Sequence, residues 1–306
     1  MQEHPTSWLI FTHHQPPVTP DDFWKAWNFE PSILIPIALI TLIYLWGMRN
    51  VWQRAGAGHG INRRRYSSFL GVLLAFLVAF VSPLDALSDV LFSAHMVQHM
   101  ILILVATPLL VMSDFPLAFL WALPRPWAQS LGYRLNRSQT LLRIWRVSSG
   151  PVFAWLLFTI VFWVWHASTL YEAALEDEAV HILEHLGFLI TAMLFWWVLL
   201  RPTGQKHVRY GMAIPYLFGT LLQSGILGAL MTFTDQPWYP SYAALVAAWG
   251  LTPLQDQQLA GLIMWIPGGA VFTLLTIGYF AVWLRALEER SIQMQRDSLR
   301  ARQALK

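Results

Sequence analysis

The sequence predicts an all-α membrane protein, a bundle of seven transmembrane helices with its N-terminus outside and its C-terminus cytoplasmic. Three observations lead there. Hydrophobic residues make up 56% of the 306-residue chain and charged residues only 12%, about half the usual fraction for a soluble domain. Apolar runs long enough to span a bilayer recur seven times. Nearly all basic residues fall in alternate connections.

A spanning helix needs about 20 largely apolar residues. Runs of this kind cover Ser32–Met48, Ser67–Ser82, Asp89–Met112, Pro151–Ala167, Val180–Leu200, Met212–Phe233 and Gln258–Leu284. The second is short. Many of the 17 tryptophans sit at the ends of these runs, where an amphipathic ring prefers the headgroup layer.

Direction follows from charge. The first, third and fifth connections and the C-terminal tail hold 19 of the 20 basic residues, among them Arg63, Arg64, Arg65, Arg125 and Arg201, and only Lys25 lies on the other side. The positive-inside rule makes those connections cytoplasmic. Asp85, Glu172, Glu176, Asp177, Glu178 and Asp235 belong to the opposite, outer side.

Three regions result. Residues 1–31 form an outside, partly interfacial tail with His4, His13 and His14 beside Trp8, Trp24 and Trp27. Residues 32–284 form the transmembrane domain. Residues 285–306 read as a charged cytoplasmic helix continuing the last span. The first 30 residues lack the apolar core of a signal peptide, so no cleavage is expected.

Polar residues within spans are costly and mark candidate sites. The third run contains His95-Met96-Val97-Gln98-His99-Met100 and the fifth contains His181-Ile182-Leu183-Glu184-His185. Each pair is spaced i, i+4 and shares one helix face. His166 closes the fourth run. With ~1.5 Å rise per residue, all five lie roughly 2–15 Å from the outer boundary. His59 and His207 fall in basic connections, apart from these.

One buried histidine is more often a packing residue than a ligand. Two pairs on different helices at similar depth instead suit metal coordination. The chain has no cysteine, which excludes thiolate sites and disulfides. The candidate ligands are therefore His95, His99, His181, His185 and His166, with Met96, Met100 and Met264 as auxiliaries and Met231 nearby. Glu184, Asp256 and Gln98 are candidate supporting residues. Asp256 also reads as a cap for the seventh helix, and Pro267-Gly268-Gly269 as a kink or close approach in it. Imidazole with thioether favours copper, particularly Cu(I). Zinc also suits four histidines, and haem is the competing cofactor, because facing histidines ligate iron axially.

His181-Ile-Leu-Glu-His185 is not the metalloprotease motif, whose glutamate directly follows the first histidine. No P-loop, dinucleotide fingerprint or serine-hydrolase elbow occurs. No catalytic residue is singled out, a non-enzyme is expected, and no nucleic-acid partner is expected.

Several ordered segments resemble the seven-helix CtaG family of cytochrome c oxidase assembly factors. They are Ser82-Pro83-Leu84 with Ser93-Ala94-His95-Met96-Val97-Gln98-His99-Met100, Thr107-Pro108-Leu109-Leu110, and Trp165-His166 with Leu170-Tyr171-Glu172-Ala173-Ala174-Leu175. His181 and His185 with Phe195-Trp196-Trp197, and Asp256-Gln257-Gln258 through Gly261 to Met264-Trp265, complete the set. The resemblance implies a multi-pass protein of the bacterial plasma membrane. It also implies a role in maturing the haem–copper oxidase, delivering copper to its catalytic subunit. The alternatives are a membrane haem or redox protein using the same histidines, and a non-catalytic accessory subunit of the oxidase.

Overall fold

A computed structural model describes residues 18–56, 58–201 and 206–304. His4, His13, His14 and Trp8 lie outside the described residues, as do the side chains of Lys206, His207 and Arg209. The described residues are helical, without a strand among them. In chain order the helices are α1 (Pro31–Ala55), α2 (Arg63–Phe80), α3 (Pro83–Ser88), α4 (Phe92–Met112), α5 (Phe115–Ala122) and α6 (Arg125–Arg137). Then come α7 (Gln139–Ser148), α8 (Pro151–Trp165), α9 (Ser168–Glu176), α10 (Glu178–Leu200), α11 (Lys206–Phe233) and α12 (Pro253–Ala304).

Among the described residues, five helices (α1, α4, α10, most of α11 and α12) are long and apolar enough to cross a membrane, or six when α7 and α8, bent by 65° at Ser149–Gly150, count as one span. The run at Ser67–Ser82 falls mostly in α2, whose first turn carries Arg63, Arg64 and Arg65, while Ser82 caps α3. The last helix starts at Pro253, earlier than the sequence suggested, and continues unbroken to Ala304.

The central element is α4, half of which is buried. It packs against α2, α3, α10 and α12. Large apolar side chains point outward from the surrounding helices, including Leu42 of α1, Leu222 of α11 and Leu274 of α12. Such faces suit lipid rather than water. Long helices α11 and α12 run side by side. Their close approach rests on Gly228 and Gly261, since a Cβ on Gly261 would stand 2.7 Å from the Gly228 carbonyl oxygen.

Halfway along α4, Leu102–Ala106 adopts a π-helical turn. The Thr107 hydroxyl donates to the Leu102 and Ile103 carbonyls, at 3.0 and 2.6 Å. Trp196 of α10 donates its indole N–H to the same Ile103 carbonyl at 2.8 Å. A wide turn loosens the helix's own hydrogen bonding. Here a neighbouring helix takes up the freed acceptor, one turn past His99, and pins α4 to α10.

Candidate metal centre

Two helices present the histidines, and both begin at the same end of the bundle. His95 and His99 are the fourth and eighth residues of α4, and His181 and His185 are the fourth and eighth of α10. Asp177 caps α10 by accepting from Ala179 and Val180 backbone N–H at 2.7 and 3.2 Å. The cap of α4 comes from another helix. The Asp256 carboxylate accepts from the backbone N–H of Phe92 at 2.7 Å and of Ser93 at 3.1 Å.

This corrects one expectation. Asp256 does not cap its own helix, because Thr252 does so in a reciprocal box. The Thr252 hydroxyl accepts from Gln255 N–H at 3.2 Å, and the Gln255 side chain accepts from Thr252 N–H at 2.9 Å. Thr-x-x-Gln is a sequence signature of such a start.

With both helices starting level, the two pairs face each other. Ring centroids lie 5.4 Å apart for His95–His181 and 5.1 Å for His99–His185. Within each pair the Nε2 atoms approach to 3.0 Å on α4 and 2.8 Å on α10. Glu184 projects between them, its carboxylate oxygens 3.9 Å from His95 Nε2 and 3.8 Å from His99 Nε2. Candidate ligand atoms of His95, His99 and His185 all lie within 4.8 Å of one another, as do those of His95, His181 and Glu184. The carboxylate thus stands inside the cluster.

Such a donor set fits a cation. Two bonds of about 2.0–2.1 Å in a tetrahedron hold their nitrogens roughly 3.3 Å apart, close to the spacing within each pair. His99 Nδ1, His185 Nδ1 and Glu184 Oε2 are buried without a protein hydrogen-bond partner. Buried polar atoms are normally satisfied, so a site this polar suits an ion with its waters.

Apolar and phenolic side chains enclose the cluster at the end where α4 and α10 begin. Tyr171 meets His95 edge-on, centroids 5.3 Å apart. Its hydroxyl lies 2.8 Å from that of Tyr242, which in turn donates to the Ser88 carbonyl at 3.1 Å. Burial pushes both hydroxyls well above the usual tyrosine range, so they remain protonated donors. His95, His99 and Glu184 are buried, whereas His181 and His185 are half-exposed along α10, with Phe80 against His185.

The remaining candidate residues belong to neither pair. His166 is buried with Nδ1 donating to the Phe162 carbonyl at 2.6 Å and Nε2 without a partner. It packs near Phe188, which also contacts His99. Gln98 turns toward α2 and α3, donating to the Ala79 carbonyl at 2.7 Å and Asp85 at 3.0 Å. Met96 and Met231 are fully buried in the apolar core. Met100 and Met264 meet at a separate cavity of about 20 Å³ whose walls hold no histidine. Tyr239 completes the enclosure, its ring centroid 4.6 Å from that of Tyr171 and its hydroxyl donating to the His166 carbonyl at 2.8 Å, and sequence reasoning missed it. Tyr171 lay within a quoted motif, while Tyr239 and Tyr242 carried no spacing signal.

Residues 42–286 match the family of cytochrome c oxidase caa3 assembly factors (Caa3_CtaG). The chain belongs to that family. The matched stretch takes in both histidine pairs, Glu184 and Asp256. The chain is also 24% identical over 294 residues to an uncharacterised protein of Mycobacterium leprae, covering 92% of this chain and 43% of that one. An uncharacterised protein of Mycobacterium tuberculosis is 24% identical over 314 residues, covering 95% and 44%. This family member therefore spans less than half the length of these curated relatives. No solved structure matches it.

Proposed function

We propose that this chain is a non-catalytic oxidase assembly factor that holds copper as cargo between α4 and α10. The observation that supports it is the convergence of His95, His99, His181, His185 and Glu184 from two helices. Imidazole donors without thiolate suit copper among the soft and borderline ions. The four rings pack directly on one another, which favours a single ion over a planar macrocycle. Buried His95, His99 and Glu184 hold the ion, and half-exposed His181 and His185 pass it on. Met96 in the apolar core and Met100 and Met264 at the separate cavity are auxiliary, as is His166, whose Nε2 is buried without a partner.

In this reading α2 and the bent α7–α8 pair join the five long helices as spans six and seven. Arginine-rich ends face the cytoplasm, which sets the cluster in the outer half of the bacterial plasma membrane. Residues 1–31 lie outside, residues 32–284 span the bilayer, and residues 285–306 extend into the cytoplasm. The recipient is the catalytic subunit of the oxidase.

The test is oxidase maturation in cells whose only copy carries H95A/H185A. Oxidase purified from them should retain haem and lose most of its copper. Full copper occupancy in that oxidase would refute the proposal. A Soret band in the purified wild-type protein would favour the haem reading instead.

A further inference from the structure

At the end of the bundle away from the histidines, α1, the α5–α6 turn and α6 enclose an open cavity of about 670 Å³. Trp46, Asn50 and Arg54 line one wall, recurring every four residues on one face of α1. Arg125, Ala128 and Gln129 of α6 line the other, and Leu120–Pro124 form an apolar floor. The Asn50 amide donates to the Trp121 carbonyl at 2.8 Å, and the Arg54 guanidinium lies 5.0 Å over the Trp121 ring.

Two arginines face this cavity, and no carboxylate among the described residues lines it. Asp114, a neighbouring acid at this end, is already paired with Arg65 and Arg201, at 2.8 and 2.7 Å. The volume falls within the roughly 300–1,000 Å³ typical of ligand pockets. Arg54 and Arg125 are exposed, and Leu42, Leu45 and Trp46 lie on the outward side of α1 leading to the opening.

We propose that this cavity seats the phosphodiester headgroup of an anionic phospholipid, with its acyl chains along the exposed apolar residues of α1. Guanidinium groups match phosphate oxygens bidentately. Basic pockets between helices at a membrane surface select anionic headgroups, and a tryptophan-lined wall suits the headgroup layer. A bound lipid would tie α1, the least buried of the five long apolar helices, to α5 and α6. The proposal is independent of the copper reading.

The test is stepwise delipidation of the detergent-purified full chain, followed by native mass spectrometry after addition of phosphatidylglycerol or phosphatidylcholine. Wild type should retain phosphatidylglycerol about 30-fold better, the scale expected from two arginines near a headgroup. R54Q/R125Q should lose that preference, while R134Q/R143Q, with the same charge loss outside the cavity, keeps it. Equal retention of both lipids by wild type overturns the proposal whether or not the variants fold. So does equal loss in the two variants. Displacement of the lipid by millimolar inorganic phosphate would assign the site to free phosphate and overturn the lipid as occupant.

Discussion

The Asp256 carboxylate and the Phe92 backbone N–H are joined by a 2.7 Å hydrogen bond across 164 residues of chain. Through it, the first turn of α12 holds the first turn of α4, one turn before His95. Removing this cap by D256A should destabilise the protein by about 1–2 kcal/mol. Because α4 then starts less firmly, Cu(I) affinity should fall with it. D256N, which keeps one acceptor oxygen, should lose less of both. Thermal melting in detergent, with and without Cu(I), checks the order.

Glu184 sits among four imidazoles with one buried oxygen lacking a hydrogen-bond partner. An ionised carboxylate is costly to bury, and glutamine keeps the shape of Glu184 without that charge. E184Q should leave the metal-free melting temperature unchanged or higher, yet weaken Cu(I) binding by about 10–100-fold. A purely structural carboxylate would give a lower melting temperature and unaltered copper affinity.

At the far end, Asp114 takes φ 60°, the one left-handed non-glycine among the described residues, and binds both Arg65 and Arg201. Arg201 also donates to the Val111 carbonyl at 3.1 Å. D114G keeps the backbone free and loses the pairs, at a cost of about 1–3 kcal/mol. D114A adds left-handed strain of about 1–2 kcal/mol. Chemical or thermal unfolding should therefore rank wild type above D114G, and D114G above D114A.

The α11–α12 contact makes a further steric prediction. A Cβ at Gly261 would lie 2.5 Å from Thr232 Oγ1 and 2.7 Å from the Gly228 oxygen. G261A should cost about 1–3 kcal/mol through forced helix separation. G225A on α11, whose Cβ would meet Trp265 no closer than 3.6 Å, should be close to neutral in the same melting assay.

Much of this architecture was legible because it is local. The i, i+4 spacing put each histidine pair on one face, and apolar length identified the long helices. What escaped was non-local. Asp256 stands where a cap belongs, yet Thr252 had already capped α12, so its carboxylate was free to reach α4. The adjacency of His95 and Met96 in sequence suggested a mixed site, but one residue on a helix turns a side chain by about 100°, so Met96 joins the core instead. Tyr239 and Tyr242 come from a loop without periodicity, and only the fold brings them over Tyr171. Glu184 read as a supporting residue because sequence gives no depth of insertion between facing helices.

The central claim, that the facing histidines hold copper, is tested most directly by anaerobic Cu(I) loading of the detergent-purified protein beside its H95A/H99A variant. After removal of loose metal, the wild type should retain close to stoichiometric copper in a nitrogen-rich shell by X-ray absorption, and the folded variant should retain little. Equal copper in both proteins, or none in either, would contradict the account.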